Sequence, residues 1–503
     1  MDLNRDVCYR ALKTRDARFD GRFFTGVTST GVYCRPVCPA RTPRRLNCRF
    51  FASAAAATMA GFRPCLRCRP ETSPGTPAWV GSSATVTRAL RLIGEGALVG
   101  AGVEALADRL GIGARHLRRL FAEHLGATPV MVERTRRIHF AKKLLDETDL
   151  PITQVAFSAG FNSVRRFNGA IRDVYDRTPR ELRKRADSGA PLRDVAAIRL
   201  RLGFRPPFDW EQVVAFLAPR AIPGVEKVTA DAYCRSVAVG DYCGFVRVTL
   251  GTGDWLVLET AAAAAPELMR IAAGMRAMFD LGADPAVIAE QLAGDRIMKK
   301  LTRRRPGLRV PGTWDPFEMA VRAIIGQQVT VRGATTVAGR LVQRYGVAVE
   351  TGCGGVDRVF PPPAVLARAD IEGLGMPKRR AGAVRNLARA VARDGLLLDG
   401  LRGLDASVEA LGAIAGLGPW TANYIAMRAL REPDAFPDSD LGLLRAVARL
   451  NGGVAPTPAR LRRRAEAWRP WRAYAAMHLW TSLDGATDSS ASETSPAART
   501  SKR

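Results

Sequence analysis

Apolar residues recur along most of this chain with the 3.6-residue period of helices that bury one face. Val103, Leu106, Ala107 and Leu110 form one such face, Gly111 to Gly113 interrupt it, and Leu117, Leu120, Phe121 and Leu125 form another. The pattern returns about 50 residues later. Ile152, Val155, Ala156 and Ala159 precede the break Gly160-Phe-Asn-Ser163, and Val164, Phe167, Ile171 and Val174 follow it, with Ser163 suited to cap the last helix. Between the units, Pro129 can open a helix running through Phe140, Leu144 and Leu145. Two helix-turn-helix units on one connecting helix are the predicted result.

The period then changes. Ile198-Arg-Leu-Arg-Leu202 alternates as a half-buried strand, Gly244 to Val248 and Trp255 to Leu258 read as further strands, and Pro266 to Met278 read as a helix. No chemistry is visible in this stretch, which reads as a packing domain. From about 304 to 482 the signal is helical with short loops. Stretches rich in breaker residues at 71–83 and 186–196 mark boundaries. They predict domains at 1–72, 84–185, 197–300 and 304–482, and a disordered Ser/Thr/Ala-rich tail at 485–503.

Charge narrows the partners. The 503 residues carry a net charge of +28, of which the first 190 contribute +16. A surplus of that size points to nucleic acid as the polyanionic partner. No apolar run of about 18 residues predicts a membrane span. The start, Met-Asp-Leu-Asn-Arg-Asp, has no basic region followed by an apolar core, which argues against secretion.

Four of the nine cysteines form two clips, Cys34-x3-Cys38 and Cys65-x2-Cys68, with 26 residues between them. Two such clips can close on one tetrahedral zinc ion. Cys8, Cys48, Cys234, Cys243 and Cys353 have no ligand spacing and read as buried small apolar residues of a reducing cytosol. The surroundings, Thr30-Gly-Val-Tyr-Cys34-Arg-Pro-Val-Cys38-Pro-Ala-Arg41 and Gly61-Phe-Arg63-Pro-Cys65-Leu-Arg-Cys68, resemble the amino-terminal domain of the Ada family of methyl acceptors. The resemblance implies that Cys34 takes a methyl group from a methylated DNA phosphate while Cys34, Cys38, Cys65 and Cys68 hold Zn2+. It also implies DNA contacts from Thr30, Arg41 and Arg63.

Two further stretches carry resemblances. Ala156-Phe-Ser-Ala-Gly160-Phe-Asn-Ser and Thr178-Pro-Arg-Glu-Leu-Arg183 are similar to AraC-type DNA-binding domains, which places Arg115, Arg118, Arg119, Arg165 and Arg166 where they can reach bases or phosphates. Ile414-Ala-Gly416-Leu-Gly418-Pro-Trp-Thr-Ala-Asn-Tyr424 can form a tight hairpin whose amides grip a phosphate, and Phe436-Pro-Asp438-Ser-Asp440 follows it. With Asp315 to Gln328, Leu374 to Pro377 and Trp468 to Trp480, these motifs resemble the AlkA-type 3-methyladenine DNA glycosylases of the helix-hairpin-helix superfamily.

That second resemblance assigns the catalytic carboxylate to Asp440, with Asp438 as the alternative. It assigns the base pocket to Trp420, Tyr424 and Trp480, and DNA contacts to Gly416 and Gly418. Trp420 occupies the position where strand-cleaving relatives carry a nucleophilic lysine, which implies base removal without backbone cleavage. Gln328 stands where the family uses an apolar wedge. Neither an iron-sulfur cysteine set nor a second acceptor centre, Pro-Cys-His-Arg, is present. Together the family resemblances of these motifs imply that the nucleic-acid partner is double-stranded DNA.

The expected fold is multidomain and mainly α: a small zinc-bound α/β domain, an all-α double helix-turn-helix domain, an α+β domain and an all-α helix-hairpin-helix glycosylase domain. The expected function is an adaptive response to DNA alkylation that combines methyl transfer, transcription activation through RNA polymerase and excision of alkylated bases, with no cofactor needed for excision. Cytoplasmic, nucleoid-associated action in a bacterium follows. Two alternatives stay open: a zinc-containing regulator with an inactive glycosylase segment, and a repair enzyme whose amino-terminal modules only dock it on DNA.

Overall fold

A computed structural model describes residues 3–74, 84–98, 101–183, 197–393, 395–396 and 398–484. The expected tail and most of both linkers lie outside the described residues. The first unit is a four-stranded sheet of β1 (Phe24–Val27), β2 (Val32–Cys34), β3 (Cys48–Phe51) and β4 (Arg63–Pro64), ordered β3-β1-β2-β4. β1 is antiparallel to β2 and β3, whereas β2 and β4 run parallel with Tyr33 opposite Pro64. That register places Cys34 beside Cys65. Gly26 is required in β1, because a Cβ there would lie 2.7 Å from the Phe51 ring and 2.9 Å from Phe62.

The two helix-turn-helix units pair Val103–Arg109 with Ala114–Leu125 and Ile152–Ser158 with Val164–Tyr175. Ser163 caps the last of these through the Arg166 amide, as its sequence position predicts. Thr128 caps the connecting helix, Pro129–Glu147, whose 19 residues span about 28 Å. Arg115, Arg118, Arg119, Arg165 and Arg166 are exposed on the two recognition helices.

Strands β5 (Ala197–Gly203), β6 (Glu226–Val228), β7 (Ala232–Val239), β8 (Tyr242–Leu250) and β9 (Trp255–Ala261) form an antiparallel sheet ordered β5-β9-β8-β7-β6. Its apolar face shares one core with the connecting helix and the second helix-turn-helix unit. The helix expected from Pro266 begins as a 3-10 turn, Ala262–Glu267, and becomes α-helical at Leu268–Met278. Beyond it the chain is helical around one large core, apart from a two-strand ladder at Val347–Ala348 and Arg358–Val359.

The remaining cysteines depart from expectation in the exposure of Cys243 and the pairing of Cys234 with Cys353. Cys8 and Cys48 are buried, but Cys243 is exposed because alternate side chains of β8 point away from the core. Cys234 on β7 is buried as expected but is joined in a disulfide to the half-buried Cys353, 119 residues away, so neither is a free thiol.

Candidate functional site

Two sites emerge. In the first, β2 and β4 each end at a clip, and the Sγ atoms of Cys34, Cys38, Cys65 and Cys68 lie within 4.8 Å of one another. A tetrahedral ion with ~2.3 Å Zn–S bonds needs sulfurs roughly 3.8 Å apart, so this donor set fits zinc with little adjustment. Hydrogen bonding among the sulfurs pushes the Cys34 and Cys68 thiols up, draws Cys38 down to about 7 and draws Cys65 far lower. Some sulfurs keep protons while others carry charge, a conflict that a divalent cation removes. The Arg35 amide donates to Cys68 Sγ at 3.4 Å, and its guanidinium donates to Asp20, to the Cys68 carbonyl and to Thr72.

Cys34 is 8% exposed, Cys38 and Cys68 are 6% exposed, and Cys65 is only partly buried. Thr30, Arg41 and Arg63 are exposed around the clips, and Arg63 reaches Asp176 at the end of the second recognition helix. No local pattern along the chain signals how this centre is mounted. Tyr33, next to Cys34, is fully buried and hydrogen-bonds His139 of the connecting helix at 2.8 Å. Arg69, next to Cys68, pairs with Asp146 of the same helix at 2.7 Å, and the Ser53 hydroxyl donates to the Leu125 carbonyl that ends the first recognition helix.

The second site is a cavity of about 380 Å³ in the helical half of the chain. Asp440 sits at its wall as the N-cap of the helix Leu441–Leu450, so one carboxylate both caps and faces the cavity. Its Oδ1 accepts from the Leu443 amide and from Trp480 Nε1, and its Oδ2 accepts from Trp420 Nε1, each at 2.9 Å. Trp420 and Tyr424 stack at 5.3 Å and 8°, with Trp480 edge-on to Tyr424 at 6.2 Å. The four residues named from sequence thus meet in one place. Asp438 instead pairs with Arg462.

Part of the cavity wall was missed. Phe216, Arg220, Glu226 and Met278 line it, so the segment expected only to pack also shapes the site. Strand alternation reveals which face is buried, not what that face meets, so no local signal marked these residues. Burial opposes ionisation of Tyr424, but Arg428, Arg220 and Arg322 outweigh it and hold its hydroxyl below the ordinary tyrosine value. The cavity wall thus carries three arginines, Arg220, Arg322 and Arg428, and three carboxylates, Glu226, Glu318 and Asp440, with Glu226 paired to Arg322.

The hairpin lies between helices Leu404–Gly412 and Pro419–Arg428, with Gly418 as N-cap of the second. Gly416 has φ +98°, and a Cβ there would lie 2.5 Å from Ala383 Cβ, so conformation and space both demand glycine. Gln328 is exposed with φ 55° at the cavity mouth, while Val329 beside it, 42% exposed, lines the cavity. An apolar group therefore stands one position beyond the expected wedge. Gln327 ties this loop to the hairpin by donating to the Gly416 carbonyl and to Thr421 Oγ1.

Four family models match the chain: the metal binding domain of Ada at 7–71, a helix-turn-helix domain at 106–185, the AlkA N-terminal domain at 199–315 and the HhH-GPD superfamily base excision DNA repair protein at 321–471. The probable bifunctional transcriptional activator/DNA repair enzyme AlkA of Mycobacterium tuberculosis is 42% identical over 95% of this chain and 96% of its own. DNA-3-methyladenine glycosylase 2 of Escherichia coli is 37% identical over 56% of this chain and 95% of its own. The bifunctional transcriptional activator/DNA repair enzyme Ada of Escherichia coli is 35% identical over 32% of this chain and 43% of its own. Among solved structures, a 3-methyladenine DNA-glycosylase from Archaeoglobus fulgidus shares the fold, with a TM-score of 0.50 at 23% identity over 56% of this chain and 97% of its own. Near-complete coverage by the mycobacterial relative, together with the four family models matched in succession along this chain, shows that it belongs to the family of bifunctional transcriptional activator/DNA repair enzymes that join an Ada metal-binding domain to an AlkA glycosylase.

Proposed function

We propose that this chain records DNA methylation at Cys34, activates transcription in response, and excises alkylated bases at Asp440. In the first step the Cys34 sulfur attacks the methyl carbon of a DNA methylphosphotriester. An S–C bond forms, the C–O bond breaks, and the phosphate leaves as an ordinary diester anion. Zinc, when bound, keeps the sulfurs as thiolates at neutral pH while leaving them nucleophilic. Cys38, Cys65 and Cys68 hold the site in place, with Thr30, Arg41 and Arg63 against the backbone. Four thiolates on a divalent ion carry a net charge of −2; methylation makes it −1, so repulsion of DNA falls and affinity rises.

Promoter binding falls to the two recognition helices, and recruitment of RNA polymerase follows from the activator names of the relatives. No helix among the described residues is long and apolar enough to cross a membrane, in keeping with action in a bacterial cytoplasm at the nucleoid.

For excision, the damaged base leaves the duplex and stacks against Trp420, Tyr424 and Trp480. The N-glycosidic bond breaks, its electron pair leaves with the base, and Asp440 stabilises the oxocarbenium-like sugar while positioning water. Gly416 and Gly418 hold the backbone, and Gln328 with Val329 fills the vacated space. The observation that carries this reading is the Asp440 carboxylate, held by three N–H donors at the wall of an aromatic cavity. Peptide mass spectrometry after reaction with methylphosphotriester DNA tests the first step: one added methyl on Cys34 is expected. Methyl on Cys65, the more exposed sulfur, would overturn the assignment. Single-turnover excision by wild type and Asp440→Asn tests the second, and equal negligible rates would favour the inactive-segment alternative.

A further inference from the structure

The Arg296–Arg304 helix, Arg-Ile-Met-Lys-Lys-Leu-Thr-Arg-Arg, has two faces of opposite character. Met298, Leu301 and Thr302 are buried against the helix Pro285–Leu292 and the C-terminal helix Arg472–Asp484. Arg296, Lys299, Lys300, Arg303 and Arg304 are all exposed and follow i, i+3, i+4, i+7, i+8 spacing, so they form one continuous cationic face. None of the five makes an ion pair or a side-chain hydrogen bond among the described residues. Two neighbouring carboxylates are committed elsewhere, Asp295 to Arg464 and Asp209 to Arg305, and Glu211, which lines a shallow pocket with Arg304, forms no ion pair with it.

The contrast with other basic helices is instructive. On the connecting helix, Arg136 and Arg137 share Glu133, Lys142 meets Asp146 and Lys143 meets Glu147. On the first recognition helix Arg118 meets Glu104. The Arg296–Arg304 helix instead holds five like charges along about 12 Å of axis, where neighbours repel and no acid among the described residues pairs with them. Such an arrangement is stabilised by an external polyanion.

We infer that this face grips the phosphodiester backbone of duplex DNA at a point outside the excision cavity. Phosphates recur about every 3.4 Å of axis along one strand, and because the strand also winds around that axis a straight row of cations about 12 Å long can meet two or three of them. The apolar face of the helix is consumed by the core, which leaves none to enter a membrane. The same C-terminal helix carries Trp480, so the cationic face and the cavity belong to one packed body. The inference rests on the proposed DNA-repair reading and adds a backbone anchor to it.

The test compares full-length wild type with the triple variant Lys299→Gln, Lys300→Gln, Arg303→Gln in binding an undamaged duplex over a salt series. Each lost phosphate contact lowers the slope of log affinity against log salt by about 0.9, so the variant should lose roughly 2 to 3 from the slope and at least about tenfold in affinity at low salt. Its melting temperature and its single-turnover excision rate at saturating enzyme should match wild type. A wild type that binds duplex while the variant keeps the same slope overturns this inference alone. A wild type that binds no duplex at all overturns the DNA-repair reading with it. Loss of binding to polyglutamate with the DNA slope intact would assign the face to an acidic protein and also overturn the inference.

Discussion

The three donors on Asp440 are not equivalent, and that asymmetry predicts a ranking of variants. Oδ1 has two donors, the Leu443 amide and Trp480 Nε1, whereas Trp420 Nε1 is the one donor to Oδ2 among the described residues. Asp440→Asn leaves a side chain that still caps the Leu441–Leu450 helix, so it removes charge with little change in stability. Loss of that charge opposite a developing oxocarbenium should slow base release by about 10²- to 10³-fold. Trp420→Phe keeps the ring that stacks on Tyr424 but removes the hold on Oδ2. A charge-assisted hydrogen bond contributes about 1.5–3 kcal/mol, so a carboxylate free to rotate should lose roughly 10- to 100-fold in the chemical step. Trp480→Phe leaves Oδ1 anchored by the helix amide and should lose no more than about tenfold. Single-turnover rates at saturating enzyme isolate the chemical step, while the enzyme concentration at half-maximal rate reports base stacking separately. A larger rate loss for Trp480→Phe than for Trp420→Phe would refute the assignment of Oδ2 to Trp420.

Gly416→Ala should lower hairpin stability by about 1–3 kcal/mol, because it combines a left-handed backbone with a Cβ pressed on Ala383. The melting temperature should fall and duplex affinity weaken, and an unchanged affinity would show that the hairpin does not grip DNA. Zinc removal by a chelator should expose the Cys34–Cys68 segment to trypsin while excision persists, since the cavity lies on other elements; protease resistance unchanged by the chelator would argue against a structural ion. Burial, with a smaller effect of Arg305, lowers His478 to about 4. The folded protein therefore keeps it neutral where the unfolded chain, near 6.5, binds a proton. Its contribution is full above about pH 6.5 and is lost as pH falls towards 4, amounting to about 2 kcal/mol at pH 5. His478→Leu should melt with a shallower dependence on pH between 7 and 5, and parallel curves would show that another group is responsible.

Local grammar made much of this protein legible. The helix-turn-helix units could be read because their turns are set by glycines and caps within a few residues, such as Gly111 to Gly113 and Ser163. The cysteine clips and the hairpin glycines could be read because each needs a particular residue type at short spacing, and Asp440 was singled out by the family resemblance of its Phe436-Pro-Asp438-Ser-Asp440 motif. Burial of alternate residues on β5 followed from the same logic.

Tertiary structure decided what those local pieces meet. The parallel pairing of β2 with β4 brings Cys34 beside Cys65, and the buried Tyr33 and the half-buried Arg69 fasten the cysteine centre to His139 and Asp146 of the connecting helix. Phe216 and Arg220 joined the cavity although their own segment carried no sign of chemistry, and Cys234 met Cys353 across 119 residues. The amino-acid sequence alone marked the module order and the four-cysteine clips through residue type and short spacing, and it singled out Asp440 as the candidate carboxylate through the family resemblance of its motif. It could not determine the partners of Asp440 Oδ1 and Oδ2, the wall opposite Tyr424 or the mounting of the cysteine centre. Those contacts join residues far apart in the chain, and only packing of the whole core selects among the many pairings that local propensity allows.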